Sequence, residues 1–203
     1  MKQIQIAIAI MLLTITATAQ KYKLDHFSIA FTTLHTAFPF ASFSHLFTKE
    51  FHPGFEAGTG FNWRTKKKHD WIQTFQFGYS YHRFVQHSLA LYSEFGYRYK
   101  ILKSFSSTAK IGTGYLNAIP VGKIFKLQDD GTYKKKMNLG RPQVMASFTL
   151  GLSKRFSSGT VVFIDYQQRL QFPFIKSYVP LLPSNIILIG ITIPLHKNNN
   201  HTN

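Results

Sequence analysis

Residues 71–82 read Trp71-Ile72-Gln73-Thr74-Phe75-Gln76-Phe77-Gly78-Tyr79-Ser80-Tyr81-His82. Trp71, Phe75, Phe77, Tyr79 and Tyr81 share one parity, and Thr74, Gln76, Gly78, Ser80 and His82 take the other. A period of two marks a β-strand, whose successive side chains point to opposite faces. One face of this strand is aromatic and uncharged, and the other is small or polar.

The same pattern extends in both directions. Upstream, Phe55, Ala57, Thr59, Phe61 and Trp63 oppose Glu56, Gly58, Gly60 and Asn62. Downstream, Leu89, Leu91, Phe95, Tyr97 and Tyr99 oppose Ser88, Ala90, Tyr92, Glu94, Gly96 and Arg98. Ala109, Ile111, Thr113 and Tyr115 oppose Thr108, Lys110, Gly112 and Gly114. Val144 to Leu152 alternates with Ser147, Thr149, Gly151 and Ser153, and Val162, Ile164, Tyr166 and Leu170 oppose Asp165, Gln167 and Arg169. Ile187, Ile189, Ile191 and Ile193 close the series, and a less regular segment from about Leu24 to Thr32 opens it. The expected fold is therefore all-β, with eight antiparallel strands in a closed barrel, an even count that returns both ends to one side.

The connections are unequal. Residues 64–70, 100–104 and 155–159 make short turns on one side, whereas 33–52, 117–142 and 171–183 make long loops on the other, where only 83–87 is short. Short turns at one end and long loops at the other are typical of membrane-spanning barrels. A soluble ligand-carrying barrel also alternates, but it turns its charged face to water. Here Glu56, Glu94, Arg98, Lys110, Asp165 and Arg169 all fall on the small, polar parity assigned to the lumen. Eight strands enclose a space just wide enough for side chains, so these charges are expected to pair across the interior as a polar plug, leaving no open pore.

The N-terminus carries a different signal. Lys2, an apolar run from Ile6 to Leu13 and small residues at Ala17-Thr18-Ala19 form a secretory leader with Gln20 as the first mature residue. The apolar run is short of the ~20 residues a spanning helix needs, and no later stretch reaches that length. The expected organisation is a signal peptide over 1–19, a barrel over 20–196 and a disordered tail over 197–203. The chain has 203 residues, 24 Lys plus Arg against 8 Asp plus Glu, and no Cys, so its formal net charge is +16 and disulfides and thiolate metal sites are excluded.

In this pattern, over residues 24–195, the chain resembles the small eight-stranded bacterial outer-membrane β-barrels, and Gln20 directly after the cleavage site resembles envelope proteins of Bacteroidota. The last strand departs from that family, closing on Ile193-Pro194-Leu195-His196 where an aromatic residue is common. The resemblance implies a monomer in the cell outer membrane, with a structural or surface ligand-recognition role. Its basic excess, including Lys66-Lys67-Lys68 and Lys134-Lys135-Lys136 in turns and loops, would then face the phosphates of lipopolysaccharide and other outer-membrane lipids rather than nucleic acid.

Two rival functions remain open. A lipid A modifying barrel enzyme, a deacylase or acyltransferase, needs a Ser nucleophile, a His base and an acidic orienter, for which Ser80 and His82 are the candidates. The His-x-Ser-Asn stretch that marks the deacylases does not occur. The second rival is a soluble periplasmic barrel carrying a hydrophobic ligand. His52, His82 and His87, at the outer rim with His35 and His45, are the candidate metal ligands, but no spacing joins them into a motif. No cofactor is expected. Asp129-Asp130-Gly131 reads as a turn rather than a calcium loop, since it lacks the ligand spacing and closing Glu.

Overall fold

The structure, a computed structural model, describes residues 24–36, 51–122, 124–128, 131–136, 139–174 and 180–195. The leader over 1–19, the tail over 197–203, His45, Asp129 and Asp130 lie outside the described residues. The alternating segments become β1 (His26–His35), β2 (Pro53–Thr65), β3 (His69–His82), β4 (Gln86–Lys100) and β5 (Phe105–Pro120). β8 (Arg141–Arg155), β9 (Val161–Phe172) and β10 (Leu182–Pro194) complete the set. All eight pair antiparallel into a closed barrel in the order β1-β10-β9-β8-β5-β4-β3-β2. β1 and β10 close it in continuous register from His26↔Pro194 to His35↔Asn185. No strand of the barrel is left with an open edge.

The first strand lies a little later than the sequence suggests, running to His35 instead of ending near Thr32. The residues it gains, Thr33, Leu34 and His35, pair with Ile187, Ile186 and Asn185. The long connection after β5 contains two short strands the alternation does not reveal, β6 (Ile124–Leu127) and β7 (Tyr133–Lys136), which form their own two-stranded sheet. Gly131, in the turn between them, has φ +79°, a left-handed backbone that glycine adopts without a Cβ clash.

Both described ends of the chain and the turns at 66–68, 101–104 and 156–160 lie at one end of the barrel, the terminal end. The remaining connections lie at the opposite, loop end. The aromatic and aliphatic parity faces outward along every strand: Phe31, Phe77, Leu91, Ile111, Leu152 and Ile189 are all exposed. Inward stand the glycines, Ser, Thr and the charged residues, together with apolar side chains. Ala90, Tyr92, Leu116, Ala118 and Met145 form one buried cluster, and Ala30, Leu34, Ile186 and Leu188 form another, packed by Phe163.

Candidate functional site

The lumen is built by strand parity. Glu56 on β2, Tyr92 and Glu94 on β4, Lys110 on β5, Ser147 and Thr149 on β8, and Asp165, Gln167 and Arg169 on β9 all point inward and are buried. Arg169 donates from Nη2 to Glu56 Oε1 at 2.8 Å and to Gln167 Oε1 at 2.7 Å. Its guanidinium stands 5.2 Å from the Tyr92 ring centre, and the Tyr92 hydroxyl donates to the other oxygen of Glu56. Gln167 Nε2 donates to Tyr92 Oη, Glu94 Oε1 and Thr149 Oγ1 at 3.1–3.2 Å. Glu94 Oε1 also accepts from Ser147 and Thr149, at 2.9 and 2.7 Å. Lys110 Nζ sits between Asp165 Oδ2 at 2.8 Å and Glu94 Oε2 at 3.3 Å. The result is one continuous chain of charge-assisted contacts from β2 across to β5. Buried charges persist only when paired and hydrogen-bonded in this way.

Glycine makes room for the network. At Gly151, opposite Asp165 in the β8–β9 register, a Cβ would collide with the Asp165 carboxylate.

Of the charged residues assigned to the lumen from sequence, five meet in this cluster, and Arg98 stands apart. Arg98 lies nearer the terminal end, with Nη1 3.9 Å from Asp70 Oδ2. Asp70 is held more closely by Lys100, whose Nζ is 2.7 Å from Oδ1. Sequence reading put Asp70 and Lys100 in turns, yet Asp70 is buried inside β3. The signal was present: Asp70 shares the inward parity of Ile72 and Thr74. Tyr92, Gln167, Ser147 and Thr149 share that parity on their own strands and were likewise not singled out as members of the network.

The interior is not evenly filled. Below the network, a cavity of about 860 Å³ reaches the terminal rim, lined among others by His26, Arg98, Lys110, Arg155 and Asp165. Above it, in the loop-end half, a void of about 10 Å³ lies beside Leu116, Gln86 and Gln171. Glu56 lines the lower space and Arg169 the upper, and their ion pair lies between the two. The lumen is thus plugged at mid-height and hollow beneath, rather than plugged throughout.

Ser80 and His82 both face the small upper void. Ser80 is buried and stands opposite Ser88, and His82 opposite Gln86. Among the described residues no carboxylate lines that void. His82 instead stacks on His52 with ring centres 3.8 Å apart, and His35 meets His52 edge-on at 5.6 Å. His87 faces away, on the outward parity, with Nδ1 2.9 Å from the Tyr79 hydroxyl. The structure therefore brings His52 and His82 together and leaves His87 apart. Among the described residues no three His, Asp or Glu side chains are grouped to hold a metal ion.

No family model and no curated protein sequence matches the chain. Solved structures do. Neisserial surface protein A (NspA) aligns with a TM-score of 0.50 at 8% identity, over 84% of this chain and 95% of that one. The outer membrane enzyme PagL aligns with a TM-score of 0.47 at 13% identity, over 84% and 99%. Ail, the attachment invasion locus protein of Yersinia pestis, aligns with a TM-score of 0.43 at 10% identity, over 84% and 98%. At such identities the likeness concerns the backbone alone. The chain has the closed eight-stranded fold of the small outer-membrane β-barrels.

Proposed function

We propose that this chain is an outer-membrane β-barrel, exported through a cleaved leader in a Bacteroidota-like envelope, that acts at the cell surface by recognition rather than by conduction or catalysis. The observation that carries the reading is the inverted polarity of the wall. Large apolar side chains such as Phe31, Phe77, Leu91 and Ile111 are exposed outside, while Glu56, Glu94, Lys110 and Arg169 are buried inside. In water such a surface would aggregate, whereas in a bilayer it is the solvated one.

With the lumen blocked by the Glu56–Arg169 layer, the loop end is left to meet a ligand. The β6–β7 hairpin is the structured part of it. It exposes Phe125, Tyr133 and Lys134 within the run Tyr133-Lys134-Lys135-Lys136. Aromatic rings beside lysines suit the phosphates and sugars of lipopolysaccharide, with an attraction that salt screens.

The test is fractionation of the native envelope together with lipopolysaccharide binding by the reconstituted barrel. Recovery in the outer membrane is expected, along with binding that weakens as salt rises. Lys134→Gln, Lys135→Gln and Lys136→Gln together should weaken binding at least tenfold without unfolding the barrel. Recovery of the mature chain in the soluble periplasm would overturn the membrane reading, and binding indifferent to the three substitutions would overturn the role of the hairpin.

A further inference from the structure

A bulge in β2 decides where the last cation of that strand points. Glu56, Gly58 and Gly60 are buried on the lumen side, and strict alternation would turn Arg64 inward with them. The register shifts between Asn62 and Arg64, so that Asn62 stands opposite Ile72 and Arg64 opposite Trp71. Residues opposite one another on antiparallel neighbours share a face. Arg64 is therefore exposed on the outer wall beside Trp71, and Thr65, opposite buried Asp70, lines the lumen cavity in its place. Re-aiming a side chain is what a bulge does to a strand.

Both tryptophans of the chain flank this arginine, and both are exposed. Trp71 stacks on Phe95 with ring centres 5.3 Å apart and meets Tyr97 edge-on at 5.2 Å. Trp63 directs its indole N–H to Gln73 Oε1 at 3.4 Å. Such rings, apolar in body and polar at one edge, belong at the headgroup level of a bilayer. Just beyond Arg64 the turn exposes Lys66, Lys67 and Lys68. Lys100 ties that turn to the end of β4, donating from N to Lys68 O at 2.8 Å and from Nζ to Lys66 O at 2.9 Å.

The positive charge at this corner is uncompensated. Among the described residues Arg64, Lys66, Lys67 and Lys68 have no carboxylate within ion-pair distance. No described carboxylate is exposed: Asp70 is held by Lys100, half-buried Asp25 by Asn62, and Glu56, Glu94 and Asp165 are buried in the lumen. Lys154, another outward cation at the terminal end, differs, since its Nζ lies over the Phe105 and Phe156 rings at 5.5 and 5.4 Å. A guanidinium fork matches a phosphate bidentately, and neighbouring lysines add Coulomb attraction.

We infer that the corner formed by Arg64, Trp63, Trp71 and the 66–68 turn is a binding site for an anionic glycerophospholipid, its phosphate on Arg64 and its acyl chains along Trp71, Phe75 and Phe95. The inference rests on the membrane reading proposed above. In that reading the loop end meets lipopolysaccharide at the cell surface, and the terminal end reaches the opposite leaflet, where glycerophospholipids supply the anions.

The two tryptophans make the site its own reporter. The mature barrel is reconstituted in phosphatidylcholine vesicles carrying a minor fraction of either phosphatidylglycerol or phosphatidylcholine with brominated acyl chains, and quenching of tryptophan fluorescence is read. Stronger quenching by brominated phosphatidylglycerol than by equal brominated phosphatidylcholine is expected, weakening as salt rises. Arg64→Gln should lower that preference about fivefold, the worth of one cation near an anionic surface. Arg64→Lys, which keeps the charge but loses the fork, should fall between. The heat-dependent gel shift reports that each variant is folded, and Arg64, exposed on the wall, can be replaced without opening the lumen. Equal quenching by the two lipids overturns the site while leaving the membrane reading intact. Quenching by neither overturns both. A preference that Arg64→Gln leaves unchanged, but that Lys66→Gln, Lys67→Gln and Lys68→Gln together abolish, also overturns the proposal, since the lipid would then be held by the turn alone.

Discussion

At the scale of single residues, the Glu56–Arg169 pair is the most consequential contact in the lumen. Both side chains are almost wholly buried, so removing either leaves the other's charge without its counter-ion. Breaking such a pair from one side costs about 3–5 kcal/mol, whereas replacing both partners together is often close to neutral. Glu56→Gln and Arg169→Met singly are therefore expected to lower the denaturant midpoint of the folded barrel sharply, and the double variant to recover most of the loss. A double-mutant cycle by urea unfolding in lipid vesicles measures it, and additive losses would show that the pair is not coupled. The reach of sequence reading shows at the same scale. Parity alone placed Glu56 and Arg169 inside, but it could not join them, because 113 residues separate them along the chain. Asp70 was hidden for another reason: it ends a polar run that reads as a turn, and only its register partner Arg98 and the nearby Lys100 make its burial intelligible.

At the scale of the element, adjacent positions on one strand answer to different solvents. Lys110 carries a charge in the middle of β5 because it faces Asp165 and Glu94, while its neighbour Ile111 faces outward and is 63% exposed. If the outer face meets lipid, Ile111→Arg should destabilise the reconstituted barrel by about 2–4 kcal/mol at the bilayer midplane, falling toward zero for an equivalent change near the strand end. Urea unfolding in vesicles reads the difference, and a flat depth profile would contradict the lipid assignment. The alternating strands were legible from sequence because long segments average out local exceptions. β6 and β7 were not, since they have only four residues each and one of them includes a lysine run that reads as a solvated turn.

For the molecule as a whole, closure is the property that matters. The β1–β10 ladder joins the first strand to the last and removes the two edges an open sheet would expose. A barrel with no unpaired edge resists detergent until heated, so the unboiled protein should migrate differently from the boiled chain on a gel. Truncation before Leu182, which deletes β10, should abolish that shift. A truncated chain that still shifts would mean that closure does not depend on this ladder. The two spaces in the lumen are also a whole-molecule property, arising where side chains from strands distant in sequence meet or fail to meet.

The amino-acid sequence by itself determined the strand period, the inward placement of the charges and the asymmetry between turns and loops, because each depends only on near neighbours along the chain. Tertiary structure decided which charge meets which. It set Arg98 apart from the Glu56–Arg169 cluster, drew Asp70 and Lys100 into a pair, and brought His52 onto His82 while leaving His87 outside. It also decided that the plug occupies mid-height with a cavity beneath it. Those outcomes rest on register and closure around the barrel, where contacts form between residues far apart in the chain, and no local pattern encodes that pairing.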